Sequence, residues 1–224
     1  MARPTVNRRP SKKLIYIFCE GESEQCYAKF LKETFSDVAA IKIPKPTGLF
    51  SVAQDKFKKD RVFKDNIEVI DEIWFFFDVE EDERDKWDQY FKIIESLRKL
   101  RKKPHRITVR LLMTKACVEY WFMLHFKCIA PPLIYPVDKE NMKHQLQLII
   151  PEYEKGDEKS TFKIAKDYPS AIENSSKILS HLSADGLPPT DDMDIRNKWL
   201  FKSGKTFSNV HEAIEFLQSL RAHS

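Results

Sequence analysis

The chain lacks several features that mark common classes of protein. It has only 5 glycines in 224 residues and no G-x-x-x-x-G-K-[S/T] segment, so it lacks the phosphate loop of a P-loop ATPase. No apolar run approaches the roughly 20 residues that span a bilayer, and residues 1–13 lack the apolar core of a signal peptide. We therefore expect a cytoplasmic protein that has no membrane partner and does not hydrolyse nucleotide unaided.

The spacing of the cysteines and histidines does not indicate a metal site. None of the four cysteines has the short paired spacing of a zinc site, and no two of the six histidines have the spacing of a zinc protease. We expect reduced and mostly buried thiols. The cysteines are Cys19, Cys26, Cys117 and Cys128.

Apolar runs and amphipathic segments alternate along the first 130 residues, which predicts an α/β fold with a parallel-containing sheet flanked by helices. The predicted strands are residues 14–19, 40–43, 72–78 and 106–113, and the helices between them are residues 24–35, 50–65 and 82–101. Beyond a proline-rich connector we predict helices at residues 138–149, 169–183 and 209–222, with a loop at 185–208. The domain prediction is a basic flexible segment (1–13), an α/β core (14–130) and a helical extension packed on the core (131–224).

Basic residues are concentrated in two places although the net charge is only +4. Residues 1–13 contain five and residues 98–110 contain seven. Such clusters can follow a phosphate backbone, although a solubilising tail and an exposed helix end are the simpler alternatives. We selected Lys102, Lys103 and Arg106 as candidate nucleic-acid contacts.

Acidic residues follow the clearest strand, with six in residues 78–85. Asp78 ends the third predicted strand and Glu20 ends the first, and ligands gather at the carboxyl ends of parallel strands. Glu80 points the same way as Asp78 if the strand continues, so the two could share a Mg²⁺ or Mn²⁺ ion, with Asp82 as an undecided third ligand. The alternatives are a helix cap for Asp78, a first-turn helix acid for Asp82 and a surface loop acid for Glu20.

The apolar run at residues 116–126 contains two ionisable residues, Glu119 and His125. Buried ionisable groups are costly unless they are paired, so each needs an explanation. Glu119 is either a site residue or a helix-start acid. His125 is either a proton donor to a leaving group or a core histidine bonded to a backbone carbonyl.

Several segments in combination resemble the RloB-like family, to which AbiL-type abortive-infection components belong. They are "IFCEGESEQCYAKFL", "EIWFFFDVEED", "CVEYWFMLHF", "YEKGD" and "AIENSSKI". The resemblance covers roughly residues 12–222 and implies a Toprim-like fold. In that fold a glutamate after the first strand and a DxD pair surround a divalent metal and perform phosphodiester chemistry.

The resemblance also implies roles for individual residues. Glu20 and Glu24 match the two acids of the EGxxTE pattern, Asp78 and Glu80 match the DxD pair, and Glu119, Trp121, His125 and Phe126 match the third segment. The chain departs from the family pattern where Glu80 replaces an Asp, where Ser23 replaces a Thr, and where "TKACVEYW" lacks an Asn-Pro.

The leading expectation is a Mg²⁺- or Mn²⁺-dependent nuclease of bacterial antiphage defence that cleaves DNA or RNA. Family members are typically encoded beside an AAA-type ATPase, so the resemblance implies such a partner. Its catalytic residues would be Glu20, Glu24, Glu119 and His125. The alternative is a catalytically inactive nucleic-acid-binding or regulatory subunit of the same ATPase system, and the sequence leaves a homo-oligomer open.

Overall fold

The computed structural model describes residues 12–101 and 106–222 and contains a four-stranded parallel sheet flanked by helices. The predicted α/β class is confirmed. The strand order is β2-β1-β3-β4, and each adjacent pair runs parallel. The strands are β1 (Lys13–Cys19), β2 (Ala39–Lys42), β3 (Glu72–Val79) and β4 (Thr108–Lys115).

Helices connect and cover these strands. In the first part of the chain they are α1 (Glu22–Thr34), α2 (Phe50–Lys59), α3 (Arg61–Asp65), a 3₁₀ helix (Glu81–Lys86), α4 (Trp87–Arg98) and α5 (Val118–Met123). In the second part they are α6 (Pro136–Ile149), α7 (Glu158–Ala165), α8 (Tyr168–Ala184), α9 (Met193–Lys202) and α10 (Val210–Ala222). None of the helices in the described ranges is long and apolar enough to cross a membrane.

Both faces of the sheet are buried, which explains why the strands are almost continuously apolar. Successive side chains of a strand point to opposite faces, so Trp74 and Phe76 pack in one core while Phe75 and Phe77 pack in the other. Helices from the second part of the chain complete both cores. For example, Ile214 of α10 lies in the first core.

Two predicted helices and one predicted loop differ from the structure. The helix predicted at 50–65 is interrupted because the Asp60 side chain accepts a hydrogen bond from Val62 N and starts a new helix, α3. The helix predicted at 82–101 begins as a 3₁₀ helix. The loop predicted at 185–208 is wrong, because Asp192 caps α9 and the apolar side chain of Phe201 is buried against β3. Helix α7 also went unpredicted.

All four cysteines are free thiols, as expected, and only Cys128 is exposed. The predicted N-terminal segment lies outside the described residues up to residue 11, while Lys13 already begins β1.

The outer edge of β4 is hydrogen-bonded by the segment at residues 207–209. The Asn209 side chain accepts from Met113 N at 2.7 Å and donates to Leu111 O at 3.1 Å, and Lys115 N donates to Phe207 O at 2.9 Å. An unpaired strand edge invites wrong pairing, so this segment both connects α9 to α10 and protects the sheet.

We expect Asn209→Ala to lower the free energy of unfolding by about 2 kcal/mol or more, because it leaves two buried backbone groups without partners. Urea denaturation measures the change. Asn66→Ala is the control, since the Asn66 side chain bonds only to Val62 O at an exposed position, and it should cost less than about 1 kcal/mol. Equal costs for the two variants would contradict the role assigned to Asn209.

Candidate active site

The pairing of β1 with β3 brings the first two predicted acids together. Cys19 lies beside Phe76, and Glu20 N donates to Phe76 O at 3.0 Å, so Glu20 leaves the sheet next to the end of β3. The Glu20 carboxylate then accepts from Asp78 N at 2.9 Å. Glu20 and Asp78 therefore adjoin at the carboxyl edge of the sheet.

Gly21 allows a third carboxylate to reach this edge. A Cβ atom at Gly21 would lie 2.9 Å from Glu24 Oε2, closer than real Cβ contacts. The absence of a side chain therefore leaves room for the Glu24 carboxylate to fold back over the first turn of α1. Glu24 is 2 % exposed.

The fourth carboxylate comes from the turn after β4. Ala116 has a φ of +67°, a conformation that bends the chain out of the sheet, and its N–H donates to Val79 O at 3.1 Å. Helix α5 starts two residues later and carries Glu119 in its first turn, buried. The Tyr153 hydroxyl donates to Glu119 Oε1 at 2.9 Å and so fixes its orientation.

A loop from the second part of the chain closes over this cluster. Gly156 N donates to Ser23 Oγ at 2.9 Å, and Cys26 Sγ donates to Gly156 O at 3.3 Å, so the loop is tied to the first turns of α1. The φ of Gly156 is +79°, which favours glycine at this turn. This loop places Lys155 among the carboxylates. Loss of water contact lowers the pKa of Lys155, but the charges of Glu119 and others outweigh that effect and raise it.

The carboxylates disfavour one another's ionisation. Burial, opposed by a backbone hydrogen bond and reinforced by Glu20, raises the pKa of Glu24 from 4.5 to about 7. Burial raises the pKa of Asp78 well above its usual range, with further increases from the charges of Glu24, Glu20 and Glu119. The pKa of Glu20 is also raised by partial loss of water, although the hydrogen bond from Asp78 N opposes this. Additional positive charge would therefore stabilise the ionised cluster.

Two buried oxygens identify where that charge is needed. Glu24 Oε2 and Asp78 Oδ1 have no hydrogen-bond partner, although buried polar atoms normally have one. Carboxylate oxygens are the ligands that Mg²⁺ and Mn²⁺ prefer, so the donor chemistry fits a divalent cation. Within residues 12–101 and 106–222, however, no three His, Cys, Asp or Glu side chains already stand in a ligand arrangement. The carboxylates therefore fit a divalent cation in the type of their donor atoms and in their charge, and two of their oxygens are free to coordinate it.

The remaining predicted metal ligands lie beside this cluster. Glu80 follows β3 with extended backbone, as the two-residue spacing requires, but its carboxylate pairs with Lys139 of α6. Asp82 is exposed within the 3₁₀ helix. Glu83, in the same 3₁₀ helix, accepts from the Tyr90 hydroxyl at 3.2 Å, and its charge raises the pKa of Glu20.

His125 lies in the first core and is completely buried. Its Nδ1 is 3.0 Å from Trp121 O and its Nε2 is 3.2 Å from the Tyr27 hydroxyl. Burial lowers the pKa of His125 to about 4 despite the opposing effect of the Trp121 carbonyl. These are the contacts of a core histidine, which was the alternative role for this residue.

The predicted nucleic-acid contacts lie away from the carboxylates. Arg106 is exposed and precedes β4, so it is at the amino edge of the sheet, while the carboxylates are at the carboxyl edge. Eight residues of strand, at about 3.3 Å each, separate these edges. Lys102 and Lys103 lie outside the described residues.

A comparison with protein-family models gives the family of the chain. The family model described as RloB-like protein matches residues 15–217. The chain belongs to the RloB-like family. No curated protein and no solved structure matches the chain.

Two site residues of this RloB-like protein were not selected from the sequence. Lys155 and Tyr153 both lie in the "YEKGD" segment, which contributed to the resemblance without suggesting a role for either. The segment is about 130 residues from Glu20 in sequence, and only the contacts of its loop with α1 bring it to the site. The sequence signal that could have identified Lys155 is a lysine followed by a turn glycine in an otherwise helical region.

The raised pKa of Glu24 predicts that stability depends on pH in a specific direction. The folded protein holds the Glu24 proton more tightly than the unfolded chain, so this contribution is fully present below pH 4.5 and is lost as the pH rises through about 7. In the Glu24→Gln variant the side chain at this position is neutral at every pH. Its stability relative to the wild type should therefore increase by roughly 2–3 kcal/mol between pH 5 and pH 8, measured by urea unfolding with EDTA present.

Glu33→Gln provides the control, since Glu33 is an exposed carboxylate on the same helix. Its stability difference from wild type should be almost the same at both pH values. If Glu24→Gln behaved in the same way, the carboxylate of Glu24 would not be held at high pKa by the cluster.

Proposed function

We propose that this RloB-like protein is a divalent-metal-dependent nuclease that cleaves phosphodiester bonds with Mg²⁺ or Mn²⁺. The observation that supports this most directly is the pair of unpartnered buried oxygens, Glu24 Oε2 and Asp78 Oδ1. They lie in a cluster whose members raise one another's pKa, and a bound cation would reverse that shift.

In this proposal Asp78 and Glu24 hold the cation, with Glu119 as a further ligand oriented by Tyr153. The bound cation would polarise the scissile phosphate and lower the pKa of an attacking water. Glu20 retains contact with solvent and has a raised pKa, so its carboxylate is suited to accept the proton of that water.

Lys155 adds a positive charge beside the carboxylates. Its side chain is exposed beside the cluster and is protonated, as a lysine ordinarily is, and the surrounding carboxylates raise its pKa further. An ammonium group in that position would bind a non-bridging phosphate oxygen, whose charge the carboxylates would otherwise repel. We assign His125 no role in the reaction because it lies in the core.

We further propose that the protein acts in bacterial antiphage defence together with an AAA-type ATPase. Membership of the RloB-like family supports this, because the resemblance to that family implies such a partner. The absence of a P-loop sequence in the chain supports a separate source of nucleotide hydrolysis.

A second candidate function is a regulatory or nucleic-acid-binding subunit without catalysis. The ion pair between Glu80 and Lys139 favours it, because this contact occupies a carboxylate that a two-carboxylate metal pair would use. Cleavage and cation binding separate the two candidates, since only the enzyme requires both.

We expect Asp78→Asn to reduce cleavage of plasmid DNA or total RNA by about 100-fold or more in the presence of Mg²⁺ or Mn²⁺. Glu20→Gln should have an effect of similar size, through loss of the proton acceptor. Both variants preserve side-chain volume and remove charge from a repulsive cluster, so their folding should be retained. The measurement is the initial rate of cleavage with each metal and with EDTA.

Asp88→Asn is the matched control, because Asp88 is an exposed carboxylate in the first turn of α4. It should retain wild-type activity. A folded wild-type protein that cleaves neither DNA nor RNA with its ATPase partner present, or an active Asp78→Asn variant, would rule out the catalytic proposal. In the first case Mg²⁺-dependent stabilisation of the wild type would still support a regulatory cation site.

A further inference from the structure

β2, which pairs with β1, and the segment after β2 carry positive charge beside the strand that leads to Glu20. Residues 38–54 contain two lysines and no acidic residue, in a chain that is otherwise rich in both signs. The lysines are Lys42, which ends β2, and Lys45, in the segment that follows. Both side chains are exposed, and neither forms an ion pair with an acid in the described parts of the chain.

The position of this segment relative to the site is fixed by hydrogen bonds. Gly48 N donates to Cys19 O at 2.8 Å, immediately before Glu20 in the chain, and Gln25 Nε2 donates to Pro44 O at 3.4 Å. The segment therefore runs along β1 and reaches the carboxyl edge beside Glu20. Gly48 has a φ of +144° and its Cβ would lie 2.5 Å from Val52, so glycine is required where the segment turns into α2.

The two lysines lie at different positions along the strand that leads to Glu20. Lys42 is level with Tyr16 in the pairing of β2 with β1, whereas Lys45 is three residues closer to the carboxyl edge. Lys45 lies in the bend that follows β2, between Pro44, whose carbonyl accepts from Gln25, and Gly48, whose N–H donates to Cys19 O. Among the strands of residues 12–101 and 106–222, β2 is at the edge of the sheet, and both lysines are exposed beside it.

We propose that Lys42 and Lys45 form a phosphate-binding track that holds the nucleic-acid backbone on one side of the carboxylate site. The inference rests on the proposed nuclease function, and it names the surface that binds the substrate strand outside the reacting phosphate. The track carries charge but no arrangement of donors for base edges, so it contacts the backbone without reading sequence. It also replaces Arg106 as the candidate contact, because Arg106 is at the opposite edge of the sheet.

The test is the salt dependence of binding, because each phosphate contact releases counterions. The intact chain is titrated with a labelled single-stranded oligonucleotide and with a duplex, in EDTA, from about 50 to 200 mM KCl. For Lys42→Gln/Lys45→Gln, the slope of log K against log salt should become less negative by about 1.4 on single strands or about 1.8 on duplex. The substrate form that shows its expected change is the one the track binds.

Lys58→Gln/Lys64→Gln is the matched control, since these exposed lysines lie near the other end of the same connection between β2 and β3. This variant should keep the wild-type slope. In cleavage assays Lys42→Gln/Lys45→Gln should raise KM severalfold while kcat at saturating substrate stays unchanged, because neither lysine belongs to the reacting site.

The outcomes separate the two proposals. If the wild type cleaves nucleic acid and depends on Asp78, but Lys42→Gln/Lys45→Gln binds with the wild-type slope, the track is wrong and the nuclease proposal stands. If the control variant loses as much slope as the track variant, binding is a property of general charge and the track is again wrong. If the wild type binds neither substrate form, the track is wrong, and the cleavage assay with Mg²⁺ or Mn²⁺ alone decides the nuclease proposal.

Discussion

β1 and β3 pair in parallel, with Phe18 beside Phe75 and Cys19 beside Phe76, and this pairing fixes the geometry of the whole carboxylate site. It makes Glu20 leave the sheet beside Asp78, the penultimate residue of β3, so that Asp78 N–H donates to the Glu20 carboxylate. The contacts of α1 and α5 with this edge then add Glu24 and Glu119. A shift of this register by one residue would turn Asp78 to the other face of the sheet and separate it from Glu20.

The site is electrostatically unfavourable for the fold that contains it. Four carboxylates lie at one sheet edge, two of their buried oxygens lack partners, and burial adds to their mutual repulsion. Such an arrangement persists because two aromatic cores, one on each face of the sheet, hold the strands in place. Lys155 offsets part of the repulsion, and protonation of Glu24 offsets another part. Unfavourable groups of this kind are concentrated at functional sites.

The two edges of the sheet have different charge environments. At the carboxyl edge Lys155 lies beside the carboxylates, while Arg106 lies at the amino edge. Near that amino edge the Arg98 guanidinium donates two hydrogen bonds of 2.7 Å to the Asp194 carboxylate. Arg106, which was chosen because basic residues are concentrated at 98–110, is therefore separated from the carboxylates by the length of β4.

The sequence alone determined the α/β class, the four strands, and the positions of Glu20 and Asp78 at strand ends, because hydrophobic periodicity and chain order depend on local residues. It did not determine α9, whose weakly amphipathic residues become helical through the Asp192 cap and burial against β3. The tertiary structure alone decided that His125 belongs to the core, that Glu80 pairs with Lys139, and that Lys155 joins the site. Each of these depends on contacts between segments distant in sequence, and such contacts leave no local pattern.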